Sequence, residues 1–262
     1  MDARTSFEPR VPLVLAEEVV GYVALRDHVT EARRRTEQML IPTAIRYAAS
    51  LDLNYGIPSY TAAQALERAL HRAISATMIF GYRTVVAELQ ELRARKGTRE
   101  RPVVEDFGRM PEIAGPALQA ITAHARQRFI DRMQREYRRI EPDDPGRGDK
   151  LRTQALQSAH VIAVEFVSRA LNAGRSLGAL GERPMVVTAA VAALYAMRSE
   201  QLDANTCEPC DSLHGEISDV NTTRYYLLMP PNGCVTASIP LIGPRCRGIY
   251  VYGDSLGDFL QA

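Results

Sequence analysis

Four cysteines carry the clearest chemical possibility in this chain, and all of them lie in one C-terminal stretch: Cys207, Cys210, Cys234 and Cys246. Cys207-Glu208-Pro209-Cys210 is a Cys-x-x-Cys, which places two sulfurs close enough to share one ion. Cys234 and Cys246 arrive singly, each behind turn residues (Asn232-Gly233 and Gly243-Pro244) that present a side chain at a corner. Four thiolates satisfy a structural zinc ion, which is held tetrahedrally at about 2.3 Å from each sulfur. The second half lacks the paired spacing of zinc ribbons, so one or two disulfides and four reduced thiols stand as alternatives, with a redox Cys-x-x-Cys behind them. His214, four residues after Cys210, could replace a cysteine as ligand, although a lone histidine more often only makes a hydrogen bond. Its neighbours Asp211 and Glu216 do not complete a metal-assisted hydrolase, which would need further histidines. No glycine-rich phosphate loop and no serine elbow occurs. The expectation is a non-enzymatic protein with a structural zinc site at Cys207, Cys210, Cys234 and Cys246.

Long helices are the elements that must carry this module. Residues 1–16 hold Pro9 and Pro12 and read as an extended arm. From Glu17 to about Ala49 the pattern is helical, with Pro42 starting a second helix or kinking the first. Asp52 to Ser59 carries turn residues. From about Thr61 to Arg95, Leu66, Leu70, Ile74, Met78, Val85, Leu89 and Leu92 form one apolar stripe. Another helix over about 112–140 has an i, i+4 series from Ile113 through Phe129 to Tyr137, opposite a face rich in arginine (Arg126, Arg128, Arg132, Arg135, Arg138). Glu141 to Asp149 reads as a linker, and a third strong helix spans about Lys150 to Leu180, closed by Gly181 and Pro184. The texture then changes: Met185–Thr188, Arg224–Met229 and Gly248–Tyr252 have strand character, and Leu194–Asp203 could be a strand although its alanines would also suit helix. The predicted fold is α+β: a mainly helical region over 17–180, with a linker at about 141–149, followed by a small cysteine-containing α+β module over 185–262.

Composition bounds the rest. A hydrophobic share of 46% with 24% charged residues is that of an ordinary globular protein, and a net charge of +1 does not point to nucleic acid or an anionic membrane. Of the 32 basic residues only Lys96 and Lys150 are lysine. No apolar run suits a membrane span, and residues 1–10 do not read as a secretory signal, so folding in a reducing cytoplasm is expected.

The run Leu202-Asp203-x-x-Thr206-Cys207-x-x-Cys210-x-x-Leu213-His214-Gly215, followed by Gly243-Pro244-Arg245-Cys246-Arg247, resembles the C-terminal domain of phage Mu F-like minor head proteins, also called head morphogenesis proteins. The likeness covers about residues 185–255. The family's closing histidine is Gly243 here and its last cysteine is Gly248, while Cys234 is additional; a metal site would therefore use Cys234 as the substitute or be lost. The resemblance implies a virion protein near the portal vertex, made in the host cytoplasm. It would bind portal protein or major capsid protein during head assembly, with packaged DNA close by. A zinc-dependent nucleic-acid-binding or processing protein is the competing reading.

Overall fold

The computed structural model describes residues 22–95, 114–181, 195–199, 208–220, 222, 248–253 and 255–259. Four long helices dominate: α1 (Tyr22–Leu53), α2 (Tyr60–Arg95), α3 (Ala114–Arg139) and α4 (Arg147–Gly181). A short helix α5 (Glu208–Leu213) and three strands, β1 (Tyr195–Ser199), β2 (Ile217–Asp219) and β3 (Ile249–Gly253), make the smaller part, followed by a 3-10 turn at Leu256–Phe259. The protein is helix-rich with a small antiparallel sheet. Among the described residues no helix is long and apolar enough to cross a membrane.

The stripes read from the sequence are the bundle's core. Leu66, Leu70, Ile74 and Met78 of α2 meet Phe129 and Met133 of α3, Leu151, Ile162 and Phe166 of α4, and Leu40 and Leu51 of α1. The upper end of the α2 stripe turns to the sheet instead: Val85, Val86 and Leu89 pack with Ala179, Ala196, Tyr250 and Tyr252. On the sheet's other face, Met197 and Val251 meet Phe259, Leu171 of α4 and Val29 of α1. Sheet and bundle thus share their apolar interior.

Two expectations about boundaries change. Pro42 does not start a second helix, since α1 runs through it to Leu53. Proline removes one donor from the ladder, and Thr43 Oγ1 donates to Leu40 O at 2.8 Å close by. Helix α4 begins at Arg147, ahead of the expected Lys150, because Asp144 organises the turn before it. Its carboxylate accepts from Gly146 N at 2.8 Å and pairs with Lys150 Nζ, and its carbonyl accepts from Arg147 N at 3.1 Å. Cys210 stands on the short helix α5.

α2 and α4 approach each other at backbone distance. A Cβ built on Gly174 would lie 2.0 Å from Met78 O, one on Gly81 2.3 Å from Leu171 O, and one on Gly178 2.9 Å from Tyr82 O. Only glycine permits this crossing, and it brings the C-terminal half of α4 down onto β3.

The sheet order is β2-β1-β3, antiparallel throughout. Met197 pairs with Ile217 on one side and with Val251 on the other, and Arg198 pairs with Tyr250. As the central strand, β1 buries Ala196, Met197 and Arg198 in succession. The expected strand at Gly248–Tyr252 is β3, and that at Leu194–Asp203 is β1. The expected strands at Met185–Thr188 and Arg224–Met229, and the arm at 1–16, lie outside the described residues.

Candidate functional site

The cysteine motif is held by β1. Arg198 N donates to Glu216 O at 2.9 Å and Gly215 N donates to Arg198 O at 2.8 Å, so the Leu213-His214-Gly215 turn bonds directly to the central strand. Gly215 has φ +79°, a left-handed conformation that side chains other than glycine, asparagine or aspartate take at a cost, which explains a glycine at that point of the motif. Glu216 N closes the turn on Leu213 O at 3.2 Å.

The side chain of Arg198 reaches the same motif. Its guanidinium is fully buried, and one terminal nitrogen donates to Cys210 Sγ at 3.7 Å. A guanidinium has donors and no acceptor, so sulfur is the acceptor here, the role it also plays as a thiolate ligand. Cys210 itself is buried. His214 is half-buried on the following turn. Of the four expected ligands only Cys210 falls within the described residues; Cys207, Cys234 and Cys246 lie outside them. Among the described residues no group of three His, Cys, Asp or Glu side chains is placed to hold a metal.

A buried polar clamp fixes β3, and through it the rest of this corner. Asn172 on α4 donates to Gly248 O at 3.0 Å and to Ser168 O at 2.9 Å, while its Oδ1 accepts from Tyr250 N at 3.1 Å. One amide thereby stands in for a neighbouring strand along β3. One turn later, Arg175 donates through Nε to Tyr250 O at 3.0 Å. Its two terminal nitrogens grip Glu88 of α2 in a bidentate pair, one at 2.6 Å to Oε1 and the other to Oε2. Thr84 Oγ1 takes a further bond at 3.3 Å. Both Arg175 and Glu88 are buried. A desolvated ion pair persists only when its remaining hydrogen-bonding capacity is also met, and β3's carbonyl supplies that need. The path runs from α2 to α4, to β3, to β1, and so to Arg198 and Cys210.

The sequence reading did not find Asn172, Arg175, Glu88 or Arg198. An arginine among alanines and glycines in α4 was the one available signal, since Arg175 lies inside a stretch whose neighbours are nearly all small or apolar.

The arginine face of α3 is largely engaged within the fold. Arg126 faces Glu67 at 3.4 Å, Arg128 reaches the buried Glu165 at 3.4 Å, and Arg132 donates to Ser158 Oγ at 3.4 Å. Burial, and then the charges around it with Arg169 foremost, hold His124 below the ordinary histidine range. Its Nδ1 stands 3.2 Å from Arg169 Nη1 and its ring packs edge-on to Phe166. That is a packing histidine, whereas His160 is exposed on α4 with its Nδ1 3.1 Å from Glu37 Oε2.

No family model, no curated protein and no solved structure matches the chain.

Proposed function

We propose that this chain is a minor head protein of a phage, associated with the portal vertex and acting in head morphogenesis by binding portal or capsid subunits rather than by turnover. The observation that carries the reading is the Asp203–Gly215 motif, whose described end is pinned to the central strand of a sheet seated on a long-helix bundle. Such an arrangement suits a rigid projection offered by a helical stem. Packaged DNA would lie near it, and the place of action would be the virion after assembly in the host cytoplasm. Mass spectrometry of purified heads tests this directly: peptides of this chain should be present at low copy number relative to the major capsid protein, and purified portal rings should retain the protein. Heads devoid of it, together with portal rings that do not bind it, would sink the reading.

Within this proposal Cys207, Cys210, Cys234 and Cys246 hold one structural zinc ion. The buried Cys210 sulfur, already serving as a hydrogen-bond acceptor, fits that use. Zinc there would crosslink segments that the small sheet cannot hold by apolar area alone. Protein purified without chelator should contain about one zinc per chain by elemental mass spectrometry. Cys207→Ser should then abolish protease resistance around α5 and β2 while most of the helical circular dichroism survives. A metal-free protein with four titratable thiols, or a serine variant as resistant as the parent, removes zinc and leaves the head assignment to its own test.

A further inference from the structure

Several guanidinium groups gather on one carboxylate in the seam between α3 and α4. Glu165 of α4 is buried, its side chain 2% exposed; Arg128 of α3 reaches its Oε2 at 3.4 Å, and Arg169 stands 4.0 Å from its Oε1. Arg132, one turn along α3 from Arg128, donates to Ser158 Oγ, a neutral acceptor. Arg135 follows at an exposed position. The nearest acids of α3 are turned elsewhere: Asp131 accepts from Gln127 at 2.8 Å, and Glu136 stands 4.0 Å from Arg139. Among the described residues, Glu165 is the carboxylate that faces Arg128, Arg132 and Arg169.

One negative charge does not balance three positive ones, and two neighbours register the excess. Burial first, and then Arg135 and Arg128, hold Arg132 below the ordinary arginine range against the opposing pull of Glu165. His124 is held low by burial first and then by Arg169 and Arg128, again with Glu165 opposing. A cation matched by a carboxylate of its own would shift the other way. The field in the seam is therefore positive.

The groups that make this field are also held in place. Arg169 lies over the Phe166 ring, 5.5 Å from its centroid, and meets His124 Nδ1 at 3.2 Å. A guanidinium can only donate, so the imidazole nitrogen accepts there and carries no proton. The side chains of Arg128 and Arg169 remain 34% and 28% exposed, which leaves part of each fork open to water. Planar forks oriented by a buried carboxylate and reached from solvent suit a tetrahedral oxyanion, which accepts paired N–H bonds from each.

We propose that the α3–α4 seam binds a phosphate group between Arg128 and Arg169, with Arg132 and Arg135 adding charge behind it. A phosphodiester of a nucleic acid and a free phosphate present this same chemistry. The inference rests on the seam alone and is independent of the head-protein reading.

Histidine-ring NMR on the full chain tests it, with inorganic phosphate and a short oligothymidylate as probes. Phosphate added at constant ionic strength should move the His124 resonances saturably and leave His160, which faces Glu37 of α1, in place. It should also raise the pKa of His124, because the bound anion offsets the charge of Arg169. Arg169→Lys keeps the charge but loses the fork, and should weaken phosphate binding roughly ten-fold at an unchanged melting temperature. Arg135→Gln, at the exposed edge of the cluster, should weaken it roughly two-fold and keeps the test decisive if the lysine variant unfolds. An oligothymidylate that binds more tightly than phosphate, with affinity falling steeply in salt, identifies a nucleic-acid backbone as the source; equal or weaker binding identifies a free phosphate. His124 resonances that neither probe moves, or a phosphate affinity unchanged in the folded variants, would overturn the proposal. So would an oligoglutamate peptide that binds as tightly as either probe, since the cluster would then belong to an acidic protein partner.

Discussion

Arg175→Leu is expected to destabilise the protein by about 3–5 kcal/mol, because Glu88 is left as a buried carboxylate with its bidentate partner gone. For a chain of this size that corresponds to a fall in melting temperature of roughly 10 °C or more. The loss has two sources, and a second variant separates them. In Arg175→Leu/Glu88→Leu the orphaned charge disappears, so much of the stability should return. The shortfall that remains measures the bond from Arg175 Nε to Tyr250 O, which ties α4 to β3. Arg175→Lys should rescue poorly, since an ammonium is a compact charge and cannot bridge Glu88 and a strand carbonyl in one planar fork. Thermal and urea unfolding of the four proteins measures all of this. A cost below about 1 kcal/mol for Arg175→Leu would mean the pair is solvated and the clamp is not what joins sheet to bundle.

Gly174→Ala is the second large effect, and its sign is opposite to the usual one. Alanine is favoured over glycine inside a helix by about 1 kcal/mol. Here the added methyl would stand 2.0 Å from Met78 O, 2.7 Å from Met78 C and 2.9 Å from its Cα, all backbone atoms that no rotamer change can move. The two helices would have to separate, and the net loss should be about 3 kcal/mol or more. Gly115→Ala in α3 is the matched control, because nothing lies within 4 Å of the methyl it would add; it should be neutral or slightly stabilising. The same unfolding measurements decide the matter. If Gly174→Ala were as harmless as Gly115→Ala, α2 and α4 would not cross at backbone contact.

Gly174 and Arg175 adjoin in sequence, and both face α2. The glycine lets α2 approach α4, and the arginine on the next position reaches across to Glu88 and to β3. A loss at either position should therefore loosen the sheet as well as the bundle.

The sequence by itself determined the helices. Apolar residues recurring at three and four placed Leu66 to Leu89 and Ala125 to Met133 on buried stripes, and a stripe is a local property of a 3.6-residue turn. It also marked the turn between α1 and α2, and the segments that became β1 and β3, through their local residue types. The end of α1 and the start of α4 were misjudged by a few residues. At the start of α4 the turn around Asp144 acts through bonds that composition does not reveal.

Only the tertiary structure decided which polar residues go inside. Asn172, Arg175, Glu88, Glu165 and Arg198 look like any residues of a solvated helix or strand when read along the chain. Each is buried because its partner comes from another element: α4 to α2, α4 to β3, α3 to α4, β1 to α5. The exposed turn between α1 and α2 is the converse case. Leu53, Tyr55, Ile57 and Tyr60 have the composition of a core, and they lie outside it because the turn's own hydrogen bonds spend its polar groups inward. Local periodicity fixes what an element is, whereas burial of a charge or exposure of a ring depends on what the rest of the chain brings to it.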